Sequence, residues 1–195
     1  MRHIAIKPQL RAVPFMVMFL SMIGGFGHSQ TVTPFYNFTN QNGSGFPQDV
    51  ALIQGRDSNL YGMSYGSPDG SIFKLSTSRV FTNLFAFSFT DGCCPGEGLT
   101  LASDGNFYGG TSGGGIDQNG VFFKMTASGV FTAIHYFTGG TDGSHPFTPP
   151  VEASDGSLYA VAQSVVYKYV PSSGSFSTIL SVQQWGRRCA FNPGL

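Results

Sequence analysis

Charge is what this sequence has least of. Asp, Glu, Lys and Arg make up 10% of its 195 residues, against about 25% in an average globular domain. Ten basic groups balance ten acidic ones, which excludes the strong field that draws a protein to nucleic acid or to an anionic membrane surface. Three cysteines leave at least one thiol over, whatever pairs. No stretch carries a helical 3.6-residue period and no gap is long enough for a crossover helix. Parallel βαβ units are thereby excluded, and neighbouring strands are expected to pair antiparallel. In contrast, glycine (27) and phenylalanine (19) are abundant. Disordered chains lack aromatics to bury, and few charges with much Gly, Phe, Ser and Thr is the composition of tightly turning β-structure.

The N-terminus reads as an address. Arg2, Lys7 and Arg11 precede an uncharged, mostly apolar stretch from Ala12 to Gly27, shorter than the ~20 residues a membrane-spanning helix needs. Gly27 and Ser29 flank His28 in the small-x-small pattern of a signal-peptidase site. The expectation is a signal peptide over 1–29, with cleavage after Ser29 releasing residues 30–195; an uncleaved anchor is the alternative. No cysteine lies near the cut to carry a lipid, and no second apolar segment follows. The mature chain is expected to have no membrane span, a mild negative charge and a secreted or cell-surface location.

The remainder is a repeat. Ser103-Asp104-Gly105-Asn106-Phe107-Tyr108-Gly109 returns as Ser154-Asp155-Gly156-Ser157-Leu158-Tyr159-Ala160 and, more weakly, as Arg56-Asp57-Ser58-Asn59-Leu60-Tyr61-Gly62. Ile72-Phe73-Lys74 returns as Phe122-Phe123-Lys124 and Val166-Tyr167-Lys168, and Val80-Phe81-Thr82 as Val130-Phe131-Thr132 and Phe176-Ser177-Thr178. The marks keep one order at a spacing of ~45–50 residues, the period of a β-propeller blade. Units are drawn at about 31–79, 80–129 and 130–175, with a partial unit over 176–195. In the middle unit, strands are expected at Val80–Ser88, Leu99–Ala102, Asn106–Ser112 and Val121–Thr126, with a two-residue Asp104-Gly105 hairpin turn. The fold class is therefore all-β: a partial β-propeller of about three four-stranded antiparallel blades plus an incomplete fourth.

The run from Ser103 to Gly115, then Gly120-Val121-Phe122-Phe123-Lys124-Met125-Thr126 and Phe131-Thr132 through Asp142-Gly143, closely resembles the GloVer tandem repeat. The resemblance covers residues 33–182. It implies a propeller-like protein that is secreted or surface-anchored in bacteria, and it supplies no catalytic residues. The chain departs from the pattern in its first unit, at Gln163-Ser164, where a Gly-rich turn is shortened, and at its end. Three readings of that ending stay open: a fragment of a longer repeat protein, two chains closing one ring by self-association across open blade edges, or a stand-alone arc.

Candidate chemistry is thin. Gly62-Met63-Ser64-Tyr65-Gly66 matches the G-x-S-x-G nucleophile pattern, but that elbow needs a strand-to-helix turn, and here it falls at the end of a blade strand. His135 is expected partly buried and hydrogen-bonded. His145 and Asp142 could share a metal ion, although a zinc site needs three or four ligands. The Asp-Gly pairs at 91–92, 104–105, 142–143 and 155–156 lack the ladder of oxygen ligands that calcium takes, and turn formation accounts for them. Adjacent Cys93 and Cys94 could bridge to Cys189 in an oxidising compartment, and no histidine is placed to activate a catalytic thiol. Trp185 and Phe46 could stack on sugar rings, and Gly113-Gly114-Gly115 lacks the Lys-Ser/Thr and helix of a phosphate loop. Asp57, Asp104 and Asp155 recur at one position and read as turn formers; two or more acidic residues converging near the central axis, with carboxylates ~5–10 Å apart, would instead point to glycan hydrolysis. No catalytic, cofactor-binding or metal residue is assigned. The function expected is a non-catalytic extracellular binding or scaffold module, with a protein or a polysaccharide as partner. The alternatives are a glycan-active enzyme on a propeller scaffold and a truncated copy with no independent function.

Overall fold

A computed structural model describes residues 34–38, 51–66 and 68–181. Among these there are thirteen strands and no helix. The expected signal peptide, Phe46, Trp185, Cys189 and residues 182–195 lie outside the described residues. The first sheet joins β1 (Ile53–Gln54), β2 (Leu60–Ser64), β3 (Ser71–Leu75) and β4 (Phe81–Ala86) in chain order. In the second, β5 (Cys93–Pro95) and β6 (Thr100–Leu101) both pair with β7 (Phe107–Gly113), followed by β8 (Val121–Met125) and β9 (Phe131–Tyr136). The third joins β10 (Val151–Glu152), β11 (Leu158–Ala162), β12 (Val165–Val170) and β13 (Ser175–Ser181). Every named strand pair is antiparallel.

The sheets close in a different phase from the units drawn on the sequence. The strand expected to open the unit at Val80 is the outer strand of the preceding sheet, with Leu75 opposite Phe81 across β3 and β4. Only five residues, Ser76 to Val80, join that pair, whereas the link onward to β6 runs from Phe87 to Leu99; the short loop fixes the pairing. Likewise β13, assigned on the sequence to the partial fourth unit, completes the third sheet.

The repeated Asp-Gly hairpin also differs from the two-residue turn expected. Ala102 N–H donates to Asn106 O and Gly105 N–H to Ala102 O, both at 2.9 Å. That is a type I turn followed by one left-handed residue, a three-residue loop. Only Gly105 of the pair has a positive φ, 84°, whereas a type I′ turn would need two. The same bonds join Gly55 to Asn59 and Ala153 to Ser157. Each sheet carries a register shift at one equivalent place, Ile72/Phe73, Phe122/Phe123 and Val166/Tyr167.

Successive sheets are joined by a repeated set of aromatic rings. Phe85 on β4 stacks on Phe131 of the next sheet at 4.1 Å and 5°, and Phe87 meets Phe123 at 5.6 Å and Phe131 at 5.8 Å. One sheet on, His135 stacks on Phe176 at 3.8 Å and 12°, while Phe137 meets Tyr167 at 5.4 Å and Phe176 at 5.9 Å. Residues 34–38 supply a third copy: Tyr36 stacks on Phe81 at 5.3 Å, and Phe38 meets Phe73 at 5.2 Å. Such pairs contribute about 0.5–1.5 kcal/mol each beyond the area they bury. The two core clusters lie in these seams, one around Tyr61, Phe107 and Phe123, the other around Tyr108, Phe122 and Tyr167. Main-chain bonds cross the seams as well, Ala51 N–H to Glu97 O at 2.8 Å and Glu97 N–H to Phe147 O at 2.9 Å.

Candidate functional site

The repeated loops between the inner strand and its neighbour cluster the polar side chains. In each loop an aspartate accepts bonds from the residue two on. Asp57 accepts from Asn59 N–H (3.2 Å) and Nδ2 (2.6 Å), and Asp104 from Asn106 N–H (3.0 Å) and Nδ2 (2.8 Å). Asp155 accepts from Ser157 N–H and Oγ, both at 3.0 Å. These are Asx turns, in which a side chain closes the turn that its own backbone begins. Tyr61 and Tyr108 each donate their hydroxyl to the aspartate four residues earlier, at 2.8 and 2.7 Å. Burial pushes the Asp57 and Asp104 carboxyls up, but the bonds from Asn and Tyr outweigh it and hold both below the ordinary aspartate value. For Asp155 the Ser157 N–H bond leads, and the carboxyl is again lowered.

Between the second and third sheets these loops border a cleft of about 220 Å³, lined by Ser103, Asp104, Glu152, Asp155, Gly156, Pro171 and Ser172. On its lining Ser103 donates N–H and Oγ–H to the Glu152 carboxylate, with N–H distances of 3.0 and 2.9 Å. On the preceding seam Arg56 Nη2 donates to Ser103 O at 2.7 Å and Ala102 O at 3.4 Å. Ser103 is thus held from both sides, by a cation from the first sheet and a carboxylate from the third. The sequence reading missed Arg56 and Glu152. Their one signal is that each puts a charge where the other units have an uncharged residue, Ser103 and Ser154 beside Arg56, Gln54 and Leu101 beside Glu152. The three carboxylates and two serines give the cleft acceptors and donors suited to a hydroxyl-bearing ligand, and no histidine or cysteine lines it.

The remaining sequence candidates are dispersed. Ser64 lies in β2, fully buried, its Oγ 2.8 Å from Ser71 Oγ, a packed strand position rather than an exposed elbow. His135 is half-buried, its Nε2 3.0 Å from Asp142 Oδ2. Asp142 also accepts from Thr138 N–H and Oγ, so it faces His135 and not His145, which is exposed and donates its N–H to Asn119 O. Burial raises the Asp142 carboxyl, yet the Thr138 and His135 bonds bring it below its ordinary value. The equivalent loop one unit earlier is built the same way, Ser88 N–H and Oγ donating to Asp91. Among the described residues no three His, Cys, Asp or Glu side chains converge on a point a metal could fill. Cys93 is buried and Cys94 exposed; both are free thiols with Sγ atoms 3.3 Å apart. Burial, then the Cys94 contact, pushes the Cys93 thiol up to about 12.

Three antiparallel sheets, each turned onto the next through one repeated aromatic seam, define a partial β-propeller. The chain belongs to the Gloeobacter/Verrucomicrobia repeat family, whose model matches residues 26–168, in agreement with the resemblance carried by the Ser-Asp-Gly-Asn-Phe-Tyr-Gly marks. A search of curated proteins finds no match. Among solved structures the chain is similar to a streptogramin B lyase (17% identity, TM-score 0.47, covering 67% of this chain and 39% of that one). It is similar also to TolB from Acinetobacter baumannii (13%, 0.44, 66% and 31%) and to the tricorn protease (17%, 0.44, 66% and 12%). The chain spans well under half the length of each of these proteins.

Proposed function

We propose that this protein is a non-catalytic repeat module of the cell exterior that presents the seam cleft and its flanking loops to a polysaccharide or a protein partner. The observation that carries the reading is the cleft at Ser103, Asp104, Glu152 and Asp155. Its carboxylates are already committed to turn and seam bonds, which pre-orders their free lone pairs for ligand hydroxyls without reorganisation on binding. The basic, then apolar N-terminus supports export. Glycan hydrolysis is the second reading, favoured by three carboxylates on one cleft.

The test is to incubate the purified chain with a panel of neutral and acidic polysaccharides. Retention that Glu152→Ala and Asp155→Ala weaken, with no reducing sugar released, is the expected result. Sugar release lost in the same variants would assign the enzyme instead. N-terminal sequencing of protein recovered from the culture medium is expected to begin at Gln30; recovery only inside the cell would refute export.

A further inference from the structure

Neighbouring side chains of a regular β-strand point to opposite faces, which holds adjacent cysteines apart. Cys93 and Cys94 both belong to β5, yet their Sγ atoms lie 3.3 Å from each other. The backbone of Cys94 breaks the alternation: its φ is 56°, a left-handed conformation that residues other than glycine rarely adopt. Contacts on several sides hold that geometry. Cys93 stands opposite Gly113 and Pro95 opposite Thr111 across β5 and β7. Cys94 N–H donates to Asp69 O at 3.2 Å, and Ser112 Oγ donates to Cys94 O at 3.0 Å. A Cβ on Gly113 would meet Cys93 Sγ at 2.9 Å, so the glycine leaves the room that this thiol occupies.

The frame belongs to the repeat and not to the thiols. Thr90-Asp91-Gly92-Cys93-Cys94-Pro95 returns as Thr141-Asp142-Gly143-Ser144-His145-Pro146, and His145 has the same left-handed backbone, φ 53°. Each copy sets a buried residue, Cys93 or Ser144, before an exposed one, Cys94 or His145. One copy fills this ready-made pair of positions with two thiols. A disulfide bond is ~2.05 Å long, so the sulfurs need to close by only about 1.3 Å, a movement that rotation of the exposed Cys94 side chain supplies. Adjacent Cα atoms are ~3.8 Å apart, below the ~4.4–6.8 Å usual across a disulfide, which makes such a bond easier to reduce than a long-range structural one.

We infer that Cys93 and Cys94 form a reversible oxidation site, a dithiol that a low-molecular-weight disulfide converts into a bond between the two neighbours. The exposed Cys94 attacks the reagent as its thiolate, forms a mixed disulfide and releases one small thiol. Cys93 then attacks the Cys94 sulfur, the Cys93–Cys94 bond forms, and the second small thiol leaves. Two protein thiols are thereby oxidised, one small disulfide is reduced to two thiols, and the protein's two protons end on those leaving groups. Burial, then the Cys94 contact, holds the Cys93 thiol up to about 12, so the second step is the slower one and quickens as pH rises. The oxidising compartment in which the site would act rests on the export reading; the chemistry of the pair does not.

The experiment treats the reduced full chain, shown folded by circular dichroism, with glutathione disulfide and quenches it with N-ethylmaleimide. Tryptic peptides are then read by mass spectrometry without reduction. Cleavage after Arg79, Lys124 and Arg188 puts Cys93 and Cys94 in peptide 80–124 and Cys189 in peptide 189–195. The expected product is peptide 80–124 lighter by two hydrogens, ~2 Da, restored by dithiothreitol and formed in equal yield by Cys189→Ser. Cys93→Ser is expected to stop at a glutathione adduct on Cys94. In the parent chain, decay of that adduct to the closed bond is expected to speed up at least ~10-fold from about pH 7 to pH 9. Recovery of peptide 80–124 linked to peptide 189–195 overturns the inference, because Cys94 would then pair at long range. So does a parent chain whose two thiols stay reduced, or whose glutathione adduct on Cys94 never closes.

Discussion

Tyr167 is the position at which the repeat contradicts itself, and replacing it with phenylalanine is the sharpest test of the seam. It occupies the site of Phe73 and Phe123 in the other sheets, and its ring makes the same contacts, 5.2 Å to Phe176 and 5.4 Å to Phe137, with a further one to Phe122 at 5.2 Å. The side chain is 1% exposed, and its hydroxyl is buried with no hydrogen-bond partner among the described residues. A buried hydroxyl left unpaired costs about 1–3 kcal/mol, while Tyr167→Phe keeps every ring contact and opens a gap of one oxygen. The expected net effect is a gain of about 1–2 kcal/mol, equivalent to ~2–8 °C in melting temperature for a domain of this size. Urea unfolding followed by circular dichroism should show a higher midpoint at unchanged slope. A lower midpoint would refute the reasoning, because it would mean that the hydroxyl has a partner whose loss outweighs its burial.

Other expectations rest on the same contacts. Burial pushes the hydroxyls of Tyr61, Tyr108 and Tyr167 up, so stability is full below the unfolded tyrosine value of ~10 and falls as pH rises above it. Denaturant titrations from pH 9 upward should show that fall, less steeply in Tyr167→Phe. The carboxyls of Asp57, Asp104 and Asp142 are lowered, so their stabilisation holds above the unfolded value of ~3.9 and is lost as pH drops through their folded values; acid titrations of the single Asp→Asn variants should show a shallower loss. With iodoacetamide at pH 8, Cys94 is expected to react well before Cys93, whose buried thiol is held up to about 12, and peptide mass spectrometry after timed quenching would reveal the opposite order. Two glycines separate sterics from backbone conformation. A Cβ on Gly110 would meet Pro146 O at 2.3 Å, whereas one on Gly156 meets nothing within 4 Å but sits at φ 75°. Gly110→Ala should therefore cost more than ~2 kcal/mol and Gly156→Ala only ~1 kcal/mol, an order that urea midpoints would check.

What was legible in the sequence is what neighbouring residues decide. Asp104, Asn106 and Tyr108 meet because an Asx turn and a hairpin bring residues two and four apart together, and the same spacing recurs around Asp57, so the turns could be read from the chain alone. The four-strand meander, the antiparallel pairing and the aromatic core follow from turn chemistry and apolar pattern on that scale, whereas β5 at Cys93–Pro95 is a strand where none was expected. The phase of the sheets was also written locally, in the short loop between Leu75 and Phe81, but a tandem repeat looks alike wherever it is cut, and the cut was placed one strand early. The turn type depended on a single dihedral at Asp104, which either reading of Asp-Gly would satisfy.

Contacts across a seam join residues some 46–49 positions apart, as Arg56 does to Ser103 and Ser103 to Glu152, and no local pattern selects such partners. Only the packed sheets turn the carboxylates of Asp104, Glu152 and Asp155 onto one cleft, send Asp142 to His135 and away from His145, and bury Tyr61 while leaving Tyr159 half-buried. Tyr61 and Tyr159 stand at one position of one repeat; what separates them is whether another sheet lies against them, and that is a property of the assembled blades, not of the residues.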